Sequence, residues 1–503
     1  MEKYDIIIIG SGLGGLECGS ILSKEGYNVL VLEKNKQLGG NLQTFVRDKQ
    51  IFDTGIHYIG GLDENQNLNQ YFKYLGIMDN LRLKKLDENG FDIITFEGDD
   101  TAYRYGQGYD NFINILSSYF PQERKAISDF CDKIKEVCES FPLYNLKVSN
   151  LDFSSIPFLT INARDFIASF TKDEKLRSVL AGTNPLFAGE GDRTPLYTYA
   201  LVINSYIESA YRCINGGSQI AIQLTRNILN NGGKVIKHAQ AKNFIFDGDK
   251  IRFVELADGR RFEAKQFISN VHPAVTLDMI QEGVGIRKAY RKRISSLENS
   301  VSVFIIYIVL KKNSMKYFNC NYYHYIDKNV WDGAVYGDDW PKGYALFTGA
   351  SSEEQEYTDS LIAMTYMQYA DTAPWADTFN TVASENDRGS GYEAFKKEKA
   401  ELLLDKIEKK FPGLRENIVS YYTSTPLTYR DYIGTKDGSL YGIVKDHKDP
   451  LRSFISARTK VPNLFLTGQN LNMHGVLGVT IGSITTCSEF LGHEYILNQV
   501  RRA

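Results

Sequence analysis

The 503-residue chain carries 58 Lys and Arg against 61 Asp and Glu, a net charge of −3, with 43% hydrophobic and 24% charged residues. That balance argues against a general nucleic-acid binder, which would show a basic excess or stripe, and against a disordered or collagen-like chain. No apolar run reaches the ~18 uncharged residues of a membrane-spanning helix. At ~150 residues per domain the length predicts two intimately joined domains.

Tyr4 to Ile9 is a continuous apolar run ending in glycine, the pattern of a strand buried on both faces. Gly10-Ser11-Gly12-Leu13-Gly14-Gly15 follows, then residues 16–25 read as a helix and 29–32 as a second buried strand ending at Glu33. Strand, glycine turn, helix and strand make a βαβ unit, whose strands are parallel. Residues 108–230 read mainly helical, with amphipathic helices over 110–119 and 123–141. Residues 234–246 read as one strand, and the Asp247-Gly248-Asp249 and Asp258-Gly259 turns predict an antiparallel meander over 234–270. Further strands are expected at 301–311 and 344–349. A charged amphipathic helix, read as a solvated face, follows at 392–410. A strand and turn at 463–468 and a closing helix over 479–491 complete the series.

Six scattered cysteines form no CxxC pair, and no His or Cys grouping has ligand spacing, so no disulfide framework and no metal site is expected. A strand starting at Tyr4 leaves no room for a secretory leader, which points to the cytoplasm.

Gly10, Gly12 and Gly15 form GxGxxG in the context that gives it meaning, after a strand and opening a helix. The first glycine allows the tight turn, the second close approach of a diphosphate, the third close helix packing. The diphosphate then meets a helix N-terminus, where free N–H groups favour negative charge. Glu33 stands 23 residues after Gly10, the place of the carboxylate that accepts from a ribose diol and repels a 2′-phosphate.

Several later blocks carry a family likeness. Leu38-Gly39-Gly40-Asn41-Leu42-Gln43-Thr44 resembles the glycine doublet of glutathione-reductase-type FAD enzymes, with Asn41 where arginine is usual, which weakens one expected phosphate contact. Phe52-Asp53-Thr54-Gly55-Ile56-His57-Tyr58-Ile59-Gly60 resembles the flavin-contacting strand of carotenoid desaturases and amine oxidases, and Leu464 to Gln469 their last FAD motif. Residues 475–480 would begin a helix whose N-terminus faces the flavin, where a dipole stabilises negative charge. Together the blocks, with Arg212 to Ser218, resemble the phytoene desaturase-like flavoproteins and, within them, the retinol saturases and carotenoid isomerases.

The resemblance implies an α/β fold: a Rossmann-type FAD-binding domain from 1–85, 211–280 and 450–503, and a substrate domain of mixed sheet plus helices from 86–210 and 281–449. It implies FAD as cofactor, held by Gly10, Ser11, Gly12, Gly14, Gly15, Glu33, Lys34, Gly39, Gly40, Asn41, Thr44, Gly55, Ile56, His57, Ala241, Gly468, Gln469, Gly478, Val479 and Thr480. His57 beside the isoalloxazine is a candidate acid or base, its ordinary pKa near 6.5 suiting proton transfer; packing on the flavin is the competing role. His474 and Tyr441 are further candidates, Tyr429 and Tyr432 are expected to line the substrate pocket, and His272 before Pro273 reads as a cap. The implied chemistry is saturation, desaturation or isomerisation of a carbon–carbon double bond in a hydrophobic polyene. Amine oxidation and a flavin-free or NAD-binding regulatory module are the rivals. No second GxGxxG opens another βαβ unit, so electrons would come from visiting NAD(P)H, a quinone or a redox protein. A water-insoluble substrate implies peripheral membrane contact, with residues 153–161 and 196–207 as candidate anchors.

Overall fold

The computed structural model describes residues 2–148, 157–381 and 387–503. Two seven-stranded sheets organise it. In the first, Lys234–Ile236, Val29–Leu32, Lys3–Ile9 and Arg261–Ser269 run parallel in that spatial order, and Leu464–Leu466 adds in parallel beyond Phe267. The hairpin of Lys250–Leu256 and Ala241–Asp247 continues the sheet antiparallel. Alternation along the first strand divides its burial. Ile6 and Ile8 pack with Leu16, Ile21, Leu224 and Ile484 from the helices Leu13–Lys24, Ser218–Asn230 and Gly475–Leu491. Ile7 and Ile9 pack on the opposite face with Phe244, Phe267, Leu277 and Ile294. Both faces of these strands are therefore dry, as parallel strands require.

The expected meander over 234–270 is corrected in one part. Residues 234–246 are two strands, not one: Lys234–Ile236 joins the far edge of the sheet beside Val29–Leu32, and Ala241–Asp247 pairs with Lys250–Leu256 on the other side. His238, at φ 52, lies in the link between them.

The second sheet runs in the order Ile418–Ser424, Ser302–Leu310, Ser360–Met367, Gly343–Thr348, Asn321–Tyr325, Asp92–Phe96 and Tyr103–Tyr105. Its neighbours are antiparallel except Asn321–Tyr325 with Asp92–Phe96. One face carries Val303, Ile305, Tyr307, Tyr323, Phe347 and Met364 towards the helices of residues 109–208. The other is covered by Ser390–Lys410, which buries Leu403, Leu404 and Ile407 against Phe304, Ile306 and Leu346. This helix is thus a sheet-covering element as well as a solvated one. The closing helix starts at Gly475, and a last helix, His493–Arg502, lay outside the sequence expectation.

No helix among the described residues is long and apolar enough to cross a membrane. Leu196–Glu208 buries Leu196, Tyr197, Tyr199, Ala200, Ile203 and Ile207, so it offers no apolar face to a bilayer, contrary to the anchor expected at 196–207. A helix apolar on all sides belongs inside a protein. Of the other candidate anchor, residues 153–156 lie outside the described residues, while Phe158 and Leu159 are buried.

Candidate functional site

The carboxyl ends of four parallel strands converge on one edge of the first sheet. Gly10 N donates to Leu32 O at 2.8 Å, Asn270 N to Ile9 O at 2.8 Å, and Thr467 N to Ser269 O at 2.9 Å. A cleft opens there and continues towards the second sheet. Ligands in open α/β sheets bind at such an edge.

Glycine shapes its floor. Gly10 takes φ +93, and a Cβ on Gly15 would stand 2.1 Å from the Gly10 carbonyl oxygen, so that position tolerates glycine alone. Cβ atoms on Gly12, Gly14 and Gly468 would each come within 2.8 Å of the Asn270 side-chain amide. Gly40 packs so closely on Gly12 that its Cβ would meet the Gly12 Cα at 3.1 Å, and Gly39 N donates to Ser11 O. The glycine doublet and the glycine turn therefore form one backbone cradle with no side chain between them. Glu33 is fixed at its end: Oε2 accepts from Ser11 N at 3.0 Å and Ser11 Oγ at 2.5 Å, and Oε1 from Asn35 N at 2.8 Å.

At the opposite end the cleft is aromatic. His57 stacks on Phe347, centroids 4.3 Å apart, and Tyr58 lies 4.4 Å from Tyr206. Met364, Tyr429, Leu440 and Tyr441 complete this end. Burial pushes the His57 imidazole down to about 3, with Arg212 adding to it, so His57 is neutral at pH 7. It can accept a proton or share a hydrogen bond, but it is no imidazolium acid. Its Nδ1 and the Oδ1 of Asn41 are buried without a partner among the described residues. An orphaned polar atom next to the cradle, Asn41 Oδ1, and another at the far end, His57 Nδ1, are what a dinucleotide lying along the cleft would satisfy.

Most of the residues expected to hold a cofactor line this cleft: Gly10, Ser11, Gly12, Gly14, Glu33, Lys34, Gly39, Gly40, Asn41, Gly55, Ile56, His57, Ala241, Gly468, Gln469 and Val479. Lys34 Nζ is turned to the Asp431 carbonyl at 2.8 Å. Four are placed elsewhere. Gly15 lies behind the cradle as the packing glycine. Gly478 and Thr480 are off the cleft, because the helix turns Thr480 inward to donate to the buried Glu17 carboxyl at 2.7 Å. Thr44 faces a neighbouring cavity that shares Gln43, Tyr429, Tyr432 and Ile433 as walls.

The candidate catalytic residues also separate. Tyr441 lines the cleft but donates its proton to Pro185 O at 2.9 Å. His474 sits behind it, 4.3 Å between rings, on a small inner cavity with Lys445, and burial pushes its imidazole down to about 4. His272 caps its helix, Nδ1 accepting from Ala274 N, as expected. Sequence reasoning missed Asn270, Tyr58, Tyr206 and Tyr323. Asn270 was within reach, since it follows the fourth parallel strand of the chain as Gly10 follows the first.

Lys445 is buried with no carboxylate bonded to it, its Nζ donating to Ser453 O and Leu471 O, and burial pushes it down to about 7. The unfolded chain keeps that proton up to the ordinary 10.5. Between those values the unfolded state binds more protons, so this lysine makes stability rise with pH. Lys445→Met should flatten that rise: the variant's gain in urea midpoint over wild type should be larger at pH 7 than at pH 9.5, and equal gains at both would refute the account.

Strand order, glycine cradle and acidic residue define a protein with a Rossmann-like dinucleotide-binding domain. A model of that domain, the NAD(P)-binding Rossmann-like domain, matches residues 8–75. The chain is a homologue of all-trans-retinol 13,14-reductase from Rattus norvegicus, 26% identical over 97% of this chain and 86% of that protein. It is likewise a homologue of chloroplastic prolycopene isomerase 2 from an Oncidium hybrid cultivar, 28% identical over 88% of this chain and 75% of that protein. In fold it is similar to putrescine oxidase bound to putrescine, with TM-score 0.65, 15% identity, and coverage of 97% of this chain and 99% of that one.

Proposed function

We propose that this protein is an FAD-dependent oxidoreductase that saturates, desaturates or isomerises a carbon–carbon double bond in a hydrophobic polyene or isoprenoid. The observation that carries this reading is near full-length homology to two enzymes whose names specify a retinol and a prolycopene, on a chain whose dinucleotide cradle leads into an aromatic chamber. When bound, the flavin supplies two-electron hydride chemistry. The chain's own residues bind and orient. The Gly10–Gly15 turn meets the diphosphate, Glu33 the ribose, and Asn41 Oδ1 and the His57 imidazole offer unpaired atoms to the cofactor. Phe347, Tyr206, Met364 and Leu440 exclude water from the reacting carbons, and the neighbouring cavity gives a long substrate room beyond Tyr429. Electrons enter or leave through NAD(P)H, a quinone or a redox protein, and the substrate is collected by peripheral contact with a membrane. The domain division at 1–85, 211–280 and 450–503 belongs to the same proposal.

The test is reconstitution with FAD, the visible flavin band, and product analysis after incubating reduced enzyme with all-trans-retinol, prolycopene and putrescine. Conversion of a polyene is expected; a colourless protein, or turnover of putrescine alone, would sink the reading. Glu33→Gln should weaken FAD binding about 10–100-fold, since hydrogen bonds to a charged group contribute about 1.5–3 kcal/mol. Fluorescence titration of the apoprotein checks this, and unchanged affinity would remove Glu33 from the ribose site.

A further inference from the structure

We propose that Asp92, Tyr58 and Tyr323 form a proton relay that supplies the substrate proton when a double bond is saturated, an inference that rests on the functional reading above. The three belong to separate segments and meet behind the aromatic end of the cleft. Tyr58 Oη donates to Asp92 Oδ2 at 2.8 Å and lies 2.7 Å from Tyr323 Oη. Asn321 Nδ2 donates to the other Asp92 oxygen at 2.8 Å, and Arg212 Nη2 donates to Asn321 Oδ1 at 2.7 Å. Asp92, Asn321 and Tyr323 are fully buried and Arg212 and Tyr58 nearly so, with Tyr58 and Tyr323 forming the cleft wall at its inner end.

A chain of hydroxyls has a direction, set by whichever end holds the extra proton. With Asp92 ionised, Tyr58 must donate to it and Tyr323 to Tyr58, leaving Tyr323 only an acceptor for the cleft. With Asp92 protonated the chain can reverse. Asp92 then donates to Tyr58, Tyr58 to Tyr323, and the Tyr323 O–H is free to point at the substrate. Saturating one double bond consumes a hydride, which the two-electron-reduced flavin provides, and a proton at the second carbon. Tyr323 gives that proton and recovers one from Tyr58, which recovers one from the Asp92 carboxyl, so Asp92 ends ionised. Water admitted after product leaves returns the proton along the same path.

The surroundings suit a carboxyl that must be loaded before each turnover. Tyr58, Tyr105, Tyr206, Tyr323 and Cys320 face it as neutral groups, and Arg212, the charged neighbour, favours its ionised form directly as well as bonding Asn321. Burial holds the Asp92 carboxyl up at about 7, against hydrogen bonds from Asn321 and Tyr58 that pull it down. Tyr323 is then the catalytic residue, and Tyr58 and Asp92 act through it. Turnover should be full below pH ~7 and fall as pH rises through the Asp92 transition.

The experiment uses FAD-loaded wild type, Asp92→Asn and Tyr323→Phe, chemically reduced and mixed with all-trans-retinol across pH in H2O and D2O. Infrared difference spectra of the same holoenzymes are recorded across pH without substrate. Both variants should keep their flavin band and lose about 10²–10⁴-fold in single-turnover saturation, the range of a lost general acid. The alkaline fall should vanish in Asp92→Asn. Burial also raises the Asp53 and Glu17 carboxyls into this range, to about 7 and about 8, so the band that reports Asp92 is the C=O component, disappearing through neutrality, that wild type and Tyr323→Phe share and Asp92→Asn lacks. Retention of the wild-type pH profile in Asp92→Asn, or of that band, would overturn the relay. If wild type reduces no polyene, the functional reading falls on its own, and the infrared titration decides the relay.

Discussion

Replacing Gly15 by alanine is expected to cost about 3 kcal/mol of stability, the upper part of the ~1–3 kcal/mol typical of overpacking, and to abolish flavin retention. The cause is a single distance. An added Cβ would stand 2.1 Å from the Gly10 carbonyl oxygen, and both partners are backbone, so no rotamer change relieves the clash. The Leu13–Lys24 helix must move off the Lys3–Ile9 strand, which opens the contacts of Leu16 and Ile21 with Ile6 and Ile8. The same movement pulls the helix N-terminus away from the place of the diphosphate. Urea midpoints, with the flavin absorbance of the purified variant, check both effects. A Gly15→Ala protein that unfolds like wild type and holds its flavin would refute this account of the cradle.

Asp431→Ala should be as damaging, by a different route. The Asp431 carboxylate is wholly buried, with Oδ2 accepting from Arg388 Nη2 at 2.5 Å and from Asn380 N at 2.9 Å, and Oδ1 from Arg430 Nε at 2.7 Å. Arg388 is itself only 4% exposed. Removing the acid leaves a desolvated guanidinium without its counter-charge, which costs about 3–5 kcal/mol. The loss extends to the site. The Pro426–Ile433 helix carrying Asp431 also accepts Lys34 Nζ and Asn35 Nδ2 on its last carbonyls, so it roofs the Glu33 end of the cleft. Weaker flavin binding should accompany the lower urea midpoint. Asp431→Asn, which keeps the acceptor oxygen without the charge, should fall between, and a variant order of Ala above Asn would contradict the ion-pair argument.

The parts legible from the chain are those whose physics is local. A β-branched run, a glycine turn and an acid at the next strand end sit within residues 4–33, and each constrains the others. Glycine at 12, 15, 39 and 40 is readable because the backbone there has no space for anything else. Pairing partners are less local. Lys234–Ile236 and Ala241–Asp247 look like one strand because period-two alternation does not say which edge a strand joins. Residues 196–207 read as a candidate membrane anchor because apolarity alone does not separate a buried helix from an interfacial one. The Asp92–Tyr58–Tyr323 network joins side chains up to 265 positions apart, and among 32 tyrosines nothing in the sequence marks Tyr323 or pairs it with Tyr58. His57 was visible, but its neutrality at pH 7 depends on burial that only the fold reveals.

The order in which the parallel strands appear along the chain bears on how the protein is made. Leu464–Leu466 pairs with Phe267–Ser269 almost 200 positions earlier, and the Gly475–Leu491 helix that covers the same sheet follows it. During synthesis at roughly 5–20 residues per second, the edge of Phe267–Ser269 stays unpaired for some tens of seconds. Through that interval an apolar strand edge is available to any other extended segment, the situation in which nascent chains aggregate or recruit chaperones. On the proposed function the cofactor cleft lacks part of its wall until Gly468 and the Gly475–Leu491 helix are made, so flavin loading would follow their synthesis. Yield of folded protein should therefore depend on flavin supply once that segment has been made.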